Sequence, residues 1–201
     1  MRKNIWKIGL LSLAWSMFFI WISSFATVPK NVDLNKVKTT RLSRNNGERK
    51  SLGLNAYTWC MLLDASSEKW AEYLQGINLT THQRLAGDGY YNYRSIKSWF
   101  AGLGIGFHDE SGTMFSENIG YGYYKCAKSD CTDALIKAIK STRTFFMNEK
   151  YKKSQPHYGS IVSKTFDSVG LGISLRGNMY YLVSHYGKNV MKTNSWTVDK
   201  Q

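Results

Sequence analysis

The stretch Ser116-Glu-Asn-Ile-Gly-Tyr-Gly122 places a single carboxylate in an apolar, glycine-rich segment of the chain. Its aromatic content favours a strand over a helix across residues 118–124. Phe115 and Ile119 flank Glu117, so the carboxylate is expected to be partly buried. An unpaired buried charge is costly, and Glu117 therefore needs a partner. A pair of histidines would supply a cationic or metal partner, and the backbone amides of the glycine-rich segment could bind the carboxylate instead or as well.

Two histidines and a second carboxylate lie in settings that suit one shared site. His82 follows a helical segment that includes Trp70, and His157 lies in Pro156-His-Tyr-Gly-Ser-Ile-Val162, shortly before an apolar strand. Glu149 ends a helical stretch, where an ordinary exposed carboxylate is the simpler interpretation. Two imidazoles and two carboxylates in one cleft would supply either a divalent-metal site or acid/base groups.

The order of these segments resembles the CAP superfamily, which includes the cysteine-rich secretory, antigen 5 and pathogenesis-related 1 proteins. The resemblance covers about residues 54–187 and rests on five segments: Trp70-Ala-Glu-Tyr, Ser116-Glu-Asn-Ile, Met147-Asn-Glu, Pro156-His-Tyr and Val169-Gly-Leu-Gly-Ile. It implies an α+β fold, an α-β-α sandwich with a small antiparallel sheet between helical layers. It also implies that a cleft holds the tetrad of His82, Glu117, Glu149 and His157, with metal-binding or catalytic roles. The three cysteines are typical of the compact bacterial members rather than the disulfide-rich eukaryotic ones.

The first histidine of the tetrad has two candidates. His82 directly follows the helix, as in bacterial members, whereas His108 lies closer to the Glu117 segment, as in plant members. We prefer His82 and interpret residues 104–113 as an insertion at the rim of the cleft. His185 lies in the last predicted strand and is interpreted as a structural residue.

The resemblance implies an exported protein whose His/Glu cleft binds a divalent cation (zinc, calcium or magnesium) and a ligand or partner at the cell envelope. The alternative is a metal-assisted or acid/base hydrolase that acts on an envelope peptide, ester or glycan. The sequence contains no Gly-x-Ser-x-Gly, His-Glu-x-x-His or phosphate-loop motif. Ser116 could act as a nucleophile beside a tetrad histidine, although a loop serine is the simpler interpretation.

The amino terminus predicts export from the cytoplasm. A cationic start, Met1–Lys7, precedes the 19 uncharged residues Ile8–Ala26. Ser24-Phe-Ala26 offers the small residues that a signal peptidase reads, whereas the apolar stretch is just long enough to cross a bilayer. Residues 1–26 are therefore a signal peptide or an N-terminal membrane anchor, and both place the following residues outside the cytoplasm.

The chain is strongly basic, with 27 Lys and Arg against 14 Asp and Glu. This balance favours an anionic envelope component or lipid as a partner, besides a protein partner. No basic recognition helix, zinc finger or base-stacking surface supports binding of nucleic acid. Residues 27–53 lack an apolar period and are predicted to be a basic flexible linker, and residues 188–201 are predicted to be a C-terminal tail.

Cysteine spacing and periodicity predict the remaining features. Cys126 and Cys131 are expected to form a disulfide in an oxidising compartment, which leaves Cys60 as a buried thiol. Apolar residues at three-to-four spacing predict a helix over residues 132–148. Strands at 168–174 and 179–186 are expected to form a hairpin, because a Gly-Asn turn signal lies between them.

Overall fold

A computed structural model describes residues 31–108 and 112–193, and every structural statement below refers to those residues. In chain order its elements are α1 Leu34–Ser51, β1 Thr58–Trp59, α2 Met61–Ile77, α3 Tyr93–Gly102, β2 Ile105–Phe107, β3 Phe115–Tyr123, α4 Thr132–Met147, a 3-10 turn Asn148–Tyr151, α5 Pro156–Ile161, β4 Ser168–Arg176, β5 Met179–Gly187 and β6 Val190–Lys192. Within the described ranges, no helix combines the length and the apolar character needed to span a bilayer. The predicted signal peptide or anchor, residues 1–26, lies outside the described residues.

The described strands form a central four-stranded sheet in the order β1-β4-β5-β3 and a separate pair, β2-β6. β5 pairs antiparallel with β3 and with β4, and the short β1 pairs parallel with β4. β4 and β5 form the predicted hairpin, and its turn contains Gly177 at a φ of +59°, which favours glycine. The predicted α-β-α sandwich is confirmed, although β1 makes the sheet mixed rather than purely antiparallel.

Helices cover both faces of the four-stranded sheet. Val183 of β5 packs with Leu74 of α2 on one face. The neighbouring Leu182 points the other way and packs with Leu135 of α4 and Val37 of α1. The α2 layer and the α1/α4 layer are therefore separated by one thickness of sheet, and β3 lies at its open side.

Two glycines of β4 allow α2 to lie directly on the sheet. A Cβ added to Gly170 would lie 2.0 Å from the backbone nitrogen of Asp64, and one added to Gly172 would lie 2.0 Å from the carbonyl carbon of Ser67. No other residue type fits at such distances without moving the helix. The Val-Gly-Leu-Gly-Ile segment therefore fixes α2, and with it the start of the loop that carries His82.

The predicted flexible linker over residues 27–53 is wrong for most of its length, because residues Leu34–Ser51 form α1. The buried face of this helix is largely polar and consists, besides one valine, of Lys38, Arg41, Asn45 and Arg49. The Nζ atom of Lys38 lies 3.0 Å from the Asp64 carboxylate, and the Arg49 guanidinium donates to three backbone carbonyls. A helix whose buried face consists mainly of polar side chains lacks the regular spacing of apolar residues that predicts an amphipathic helix. A search of the sequence for that spacing therefore misses α1.

The predicted C-terminal tail over residues 188–201 is wrong for its first part. β6 pairs antiparallel with β2, with Val190 opposite Phe107. The predicted insertion at residues 104–113 therefore contains a strand that ties the end of the described chain to α3. Residues 194–201 lie outside the described residues.

The predicted disulfide is confirmed by a bond between Cys126 and Cys131, whose Cα atoms are 5.7 Å apart. Cys131 is fully buried and packs in the same cluster as Leu135, so the bond fixes the start of α4 against the core. Cys60 is a free, half-buried thiol at the start of α2. The predicted helix over 132–148 is confirmed as α4.

Candidate functional site

Glu117 lies on β3 with its side chain on the same face of the sheet as α2. Its carboxylate is fully buried, and its Oε1 atom lies 2.7 Å from the Nδ1 atom of His82. His82 belongs to the loop that follows α2 and is itself 5% exposed. The packing of α2 on β4 therefore brings two of the predicted site residues into direct contact.

Two further side chains bind Glu117 and were not among the predicted site residues. The Nε2 atom of His185 lies 2.7 Å from Oε2, because His185 is directly opposite Glu117 in the pairing of β3 with β5. The Arg84 guanidinium donates to both carboxylate oxygens and lies 3.4 Å from the Trp70 ring and 4.5 Å from the Trp99 ring. The sequence held one signal for them, which is the need of a buried carboxylate for cationic partners.

The electrostatics of this cluster keep Glu117 ionised. Burial acts to raise the pKa of Glu117, but hydrogen bonds from His185 and His82 and the charge of Arg84 hold it well below its ordinary value. Burial lowers the pKa of His185, against the opposing effect of Glu117. A neutral His185 donates from Nε2 to Glu117, and its Nδ1 atom lies 2.8 Å from the Ser66 hydroxyl.

Glu149 and His157 form a second pair at the beginning of α5. The Nδ1 atom of His157 lies 2.6 Å from Oε1 of Glu149, and Oε2 accepts the backbone N–H groups of His157 and Tyr158. Burial acts to raise the pKa of Glu149, but these hydrogen bonds lower it overall. The His157 ring also stacks on Phe146 of α4, with ring centroids 4.4 Å apart and planes 1° from parallel. The imidazole is thus held on one side by a carboxylate and on a face by an aromatic ring.

The two histidine rings lie where two hollows meet, and these hollows together form one cleft along β3. Two adjoining hollows, of about 470 and 520 Å³, each have both His82 and His157 in their walls. The remaining wall of the first hollow consists of hydroxyl-bearing and apolar residues: Thr80, Thr81, Tyr90, Ile119, Gly120, Tyr121, Ser141, Thr142, Phe145 and Phe146. Since each Nδ1 binds a carboxylate, the Nε2 atom of each ring is left for a ligand in the cleft.

The four predicted site residues come together as two His–Glu pairs, not as one set of four metal ligands. Among the described residues, no group of three or more His, Cys, Asp or Glu side chains is arranged to hold a metal ion. Both oxygens of Glu117 are occupied by ring and guanidinium donors. The side chains that could bind a cation in the cleft directly are therefore the two imidazoles, whose chemistry would fit zinc and similar nitrogen-binding ions.

His108 and Ser116 do not take part in this arrangement. His108 is exposed beyond β2 and lies in the wall of neither hollow. The Ser116 hydroxyl lies 2.7 Å from the Ser160 hydroxyl rather than beside a histidine ring. A nucleophile activated by a neighbouring imidazole needs that contact, so Ser116 does not have the setting of a catalytic serine.

The floor of the cleft is an open strand edge, since β3 is paired on one side only within the described part of the chain. The Lys188 N–H donates to the Met114 carbonyl, and the Tyr124 N–H donates to the Asn178 carbonyl. Even-numbered residues of β3 are therefore those that bind β5, and odd-numbered residues direct their N–H and C=O groups to the open edge. Because Ile119–Tyr121 lines the first hollow, the cleft presents backbone donors and acceptors along its floor.

A family model described as the cysteine-rich secretory protein family, CAP, matches residues 42–186 of the chain. The match begins inside α1 and ends in β5, so it includes both His–Glu pairs. No curated protein sequence gives a significant match.

Three solved structures illustrate the likeness in fold. An outer surface protein of Borrelia burgdorferi has a TM-score of 0.55 and 17% identity, and the match covers 79% of this chain and 96% of that one. The CAP domain of enterococcal PrgA has a TM-score of 0.53 and 17% identity, and the match covers 83% of this chain and 65% of that one. An extracellular SCP-domain protein of Bacillus anthracis has a TM-score of 0.50 and 13% identity, with 77% and 41% covered. At these identities the likeness concerns the fold.

Proposed function

The chain belongs to the cysteine-rich secretory protein (CAP) family, and from this premise we propose that it acts outside the cytoplasm and binds a divalent cation and a protein ligand in its cleft. The Cys126–Cys131 disulfide is in keeping with an oxidising compartment. The observation that best supports cation binding is an arrangement shared by both histidines. The Nδ1 atoms of His82 and His157 lie 2.7 and 2.6 Å from carboxylate oxygens, and both rings line the same cleft.

This arrangement is common among metal-binding histidines. A carboxylate that accepts the N–H of one ring nitrogen fixes the tautomer and leaves the other nitrogen to bind the ion. Glu117 and Glu149 would play this part for His82 and His157. Two nitrogen ligands favour zinc over calcium and magnesium, which prefer oxygen. A bound cation would supply a Lewis-acid position for an oxygen atom of the ligand.

The ligand that best complements the cleft is an extended segment of protein. The open edge of β3 offers backbone donors and acceptors, and addition of a strand to such an edge is a recurrent mode of peptide binding. Among the described residues that line the two hollows, the only carboxylate is the buried one of Glu117. With a net charge of +13, the chain favours segments that carry acidic side chains.

Zinc binding is tested by thermal unfolding of the metal-stripped protein. At a hundredfold excess over its dissociation constant, zinc should raise the free energy of unfolding by about 2.7 kcal/mol and so raise Tm. His157→Ala should remove the rise, and His108→Ala, at an exposed position, should retain it. Calcium and magnesium should cause none. An equal rise in the parent and in the His157→Ala protein would exclude the proposed ligands.

Peptide binding is tested at Tyr121, whose N–H faces the open edge. Tyr121→Pro removes this donor without affecting the bonds to β5, and it should abolish binding of an extended acidic peptide in fluorescence anisotropy. Tyr121→Ala retains the N–H and should bind within a few-fold of the parent. Binding to anionic vesicles or glycans, with none to peptides, would contradict the proposal. Zinc-dependent cleavage of the peptide that is lost in His157→Ala would instead favour the hydrolase alternative.

A further inference from the structure

The first hollow of the cleft has two walls of different chemistry, because its side chains come from opposite layers of the sandwich. The loop after α2 contributes only hydroxyl-bearing residues besides the histidine, namely Thr80, Thr81 and Tyr90. The wall on the other side is formed by α4 and includes two rings without polar atoms, Phe145 and Phe146, besides Ser141 and Thr142. A segment added to the open edge of β3 would lie between these two walls.

Phe145 presents an uncovered aromatic ring to this hollow. It is 58% exposed, whereas the neighbouring Phe146 is 2% exposed and lies against the His157 ring. A single exposed apolar side chain on a convex surface is ordinary. Phe145, however, lines a concave surface together with two other exposed rings, Tyr90 and Tyr121. Exposed rings gathered around one hollow are typical of a binding site.

Gly120 leaves the floor of the hollow without a side chain on the α4 side. A Cβ added to Gly120 would lie 2.5 Å from Cγ2 of Thr142 and 3.3 Å from the Phe146 ring, so this position faces α4. As an even-numbered residue of β3, Gly120 directs its own N–H and C=O groups to β5. In an antiparallel addition its partner would therefore occupy a non-hydrogen-bonded position, where paired residues come closest.

The partner of Gly120 on an added strand would direct its side chain along the α4 wall. No side chain of β3 competes for that space at this position, and aromatic residues are well suited to cover a glycine in the neighbouring strand. Such a side chain would contact the uncovered face of Phe145. The next residues in either direction would point to the opposite side of the sheet, toward the hydroxyl-bearing wall.

We infer that the first hollow selects a large apolar side chain, aromatic or branched aliphatic, on the segment that it binds, and that Phe145 determines this preference. The inference rests on the proposed binding of an extended segment and adds side-chain selectivity to it. The ligand class is thus a strand in which one large apolar residue is flanked by polar ones.

The test compares two fluorescein-labelled peptides of alternating Glu and Thr by anisotropy with the full chain. Both have as many residues as β3, which contains 9, and they carry either Phe or Ala at the central position. The regular backbone pairing of a strand allows each peptide to slide to the register that suits the hollow. The parent should bind the Phe peptide at least about tenfold more tightly than the Ala peptide, because only the former buries a ring.

Two exposed aromatic residues provide the matched variants. Phe145→Ala should reduce the ratio of the two affinities to less than about threefold. Tyr151→Ala removes an exposed ring that lies in neither hollow, and it should retain the full ratio. Equal affinities of the parent for both peptides, or an undiminished ratio in Phe145→Ala, would overturn the inference and leave strand addition standing. Binding of neither peptide would overturn both the inference and the proposed peptide ligand.

Discussion

Arg84 is the residue that allows Glu117 to be buried as a charged group. Its guanidinium donates to both carboxylate oxygens while its faces contact Trp70 and Trp99. Substitution of one partner of such a buried ion pair lowers protein stability strongly, because it leaves the other charge buried alone. Replacement of both partners lowers stability far less.

Substitution of either partner alone should therefore have a large effect. Glu117→Gln and Arg84→Met should each lower the free energy of unfolding by about 3–5 kcal/mol, measured by urea denaturation. The double variant should be less destabilised than the sum of the two, since neither charge is then left without the other. Additive losses would show that the two side chains do not act as a pair.

His185 and Glu117 also determine how stability depends on pH. The pKa of His185 is lowered from its ordinary value of 6.5, so the unfolded chain binds a proton that the folded chain does not. This contribution is complete above pH 6.5 and is lost as the pH falls below it. The pKa of Glu117 is lowered from 4.5, so its contribution is present above that value and is lost at lower pH.

Stability of the metal-free protein should therefore decrease in two acid steps. Urea midpoints should fall first as the pH drops below 6.5 and again below 4.5. His185→Asn should flatten the first step and leave the second, whereas His108→Ala should keep both. A parent protein with constant midpoints between pH 7.5 and 5 would show that His185 does not titrate as its burial indicates.

At the scale of elements, sequence periodicity identified α4 and the β4–β5 hairpin but not α1. The hairpin and α4 bury apolar side chains at regular spacing, which is the signal that a sequence displays. The inner face of α1 buries hydrogen-bonding groups instead, and two of the carbonyls that accept from Arg49 belong to residues far along the chain, Ile161 and Ser163. Only the folded structure brings those acceptors to Arg49, so composition alone indicated a linker.

Arg49 provides a direct test of the importance of α1. Its guanidinium donates to the carbonyl oxygens of Asn55, Ile161 and Ser163, and Arg49→Leu should leave these without their donor. We expect a loss of about 3 kcal/mol in the free energy of unfolding, or about 1 kcal/mol for each carbonyl. Lys50→Leu, at an exposed position of the same helix, should change it by less than about 0.5 kcal/mol. Similar small effects of both variants would mean that the hydrogen bonds of α1 contribute little to the stability of the fold.

At the scale of the whole molecule, the sequence placed four side chains near one another but could not assign their contacts. Glu117 was expected to meet a pair of histidines, and it meets His82 and His185, while His157 pairs with Glu149. Which histidine reaches which carboxylate depends on strand register and on how the helical layers lie on the sheet. These are tertiary quantities that no local pattern contains.

His82 and His157 reach the cleft from opposite layers of the sandwich, one after α2 and the other at the start of α5. An ion held by both rings would act as a removable staple between two halves of the molecule that lie on either side of the sheet. Zinc should therefore slow backbone amide exchange in both regions together, over residues 78–92 and 149–161, when followed by mass spectrometry. In His157→Ala neither region should respond, and slowing confined to one half of the parent would mean that the ion does not join them.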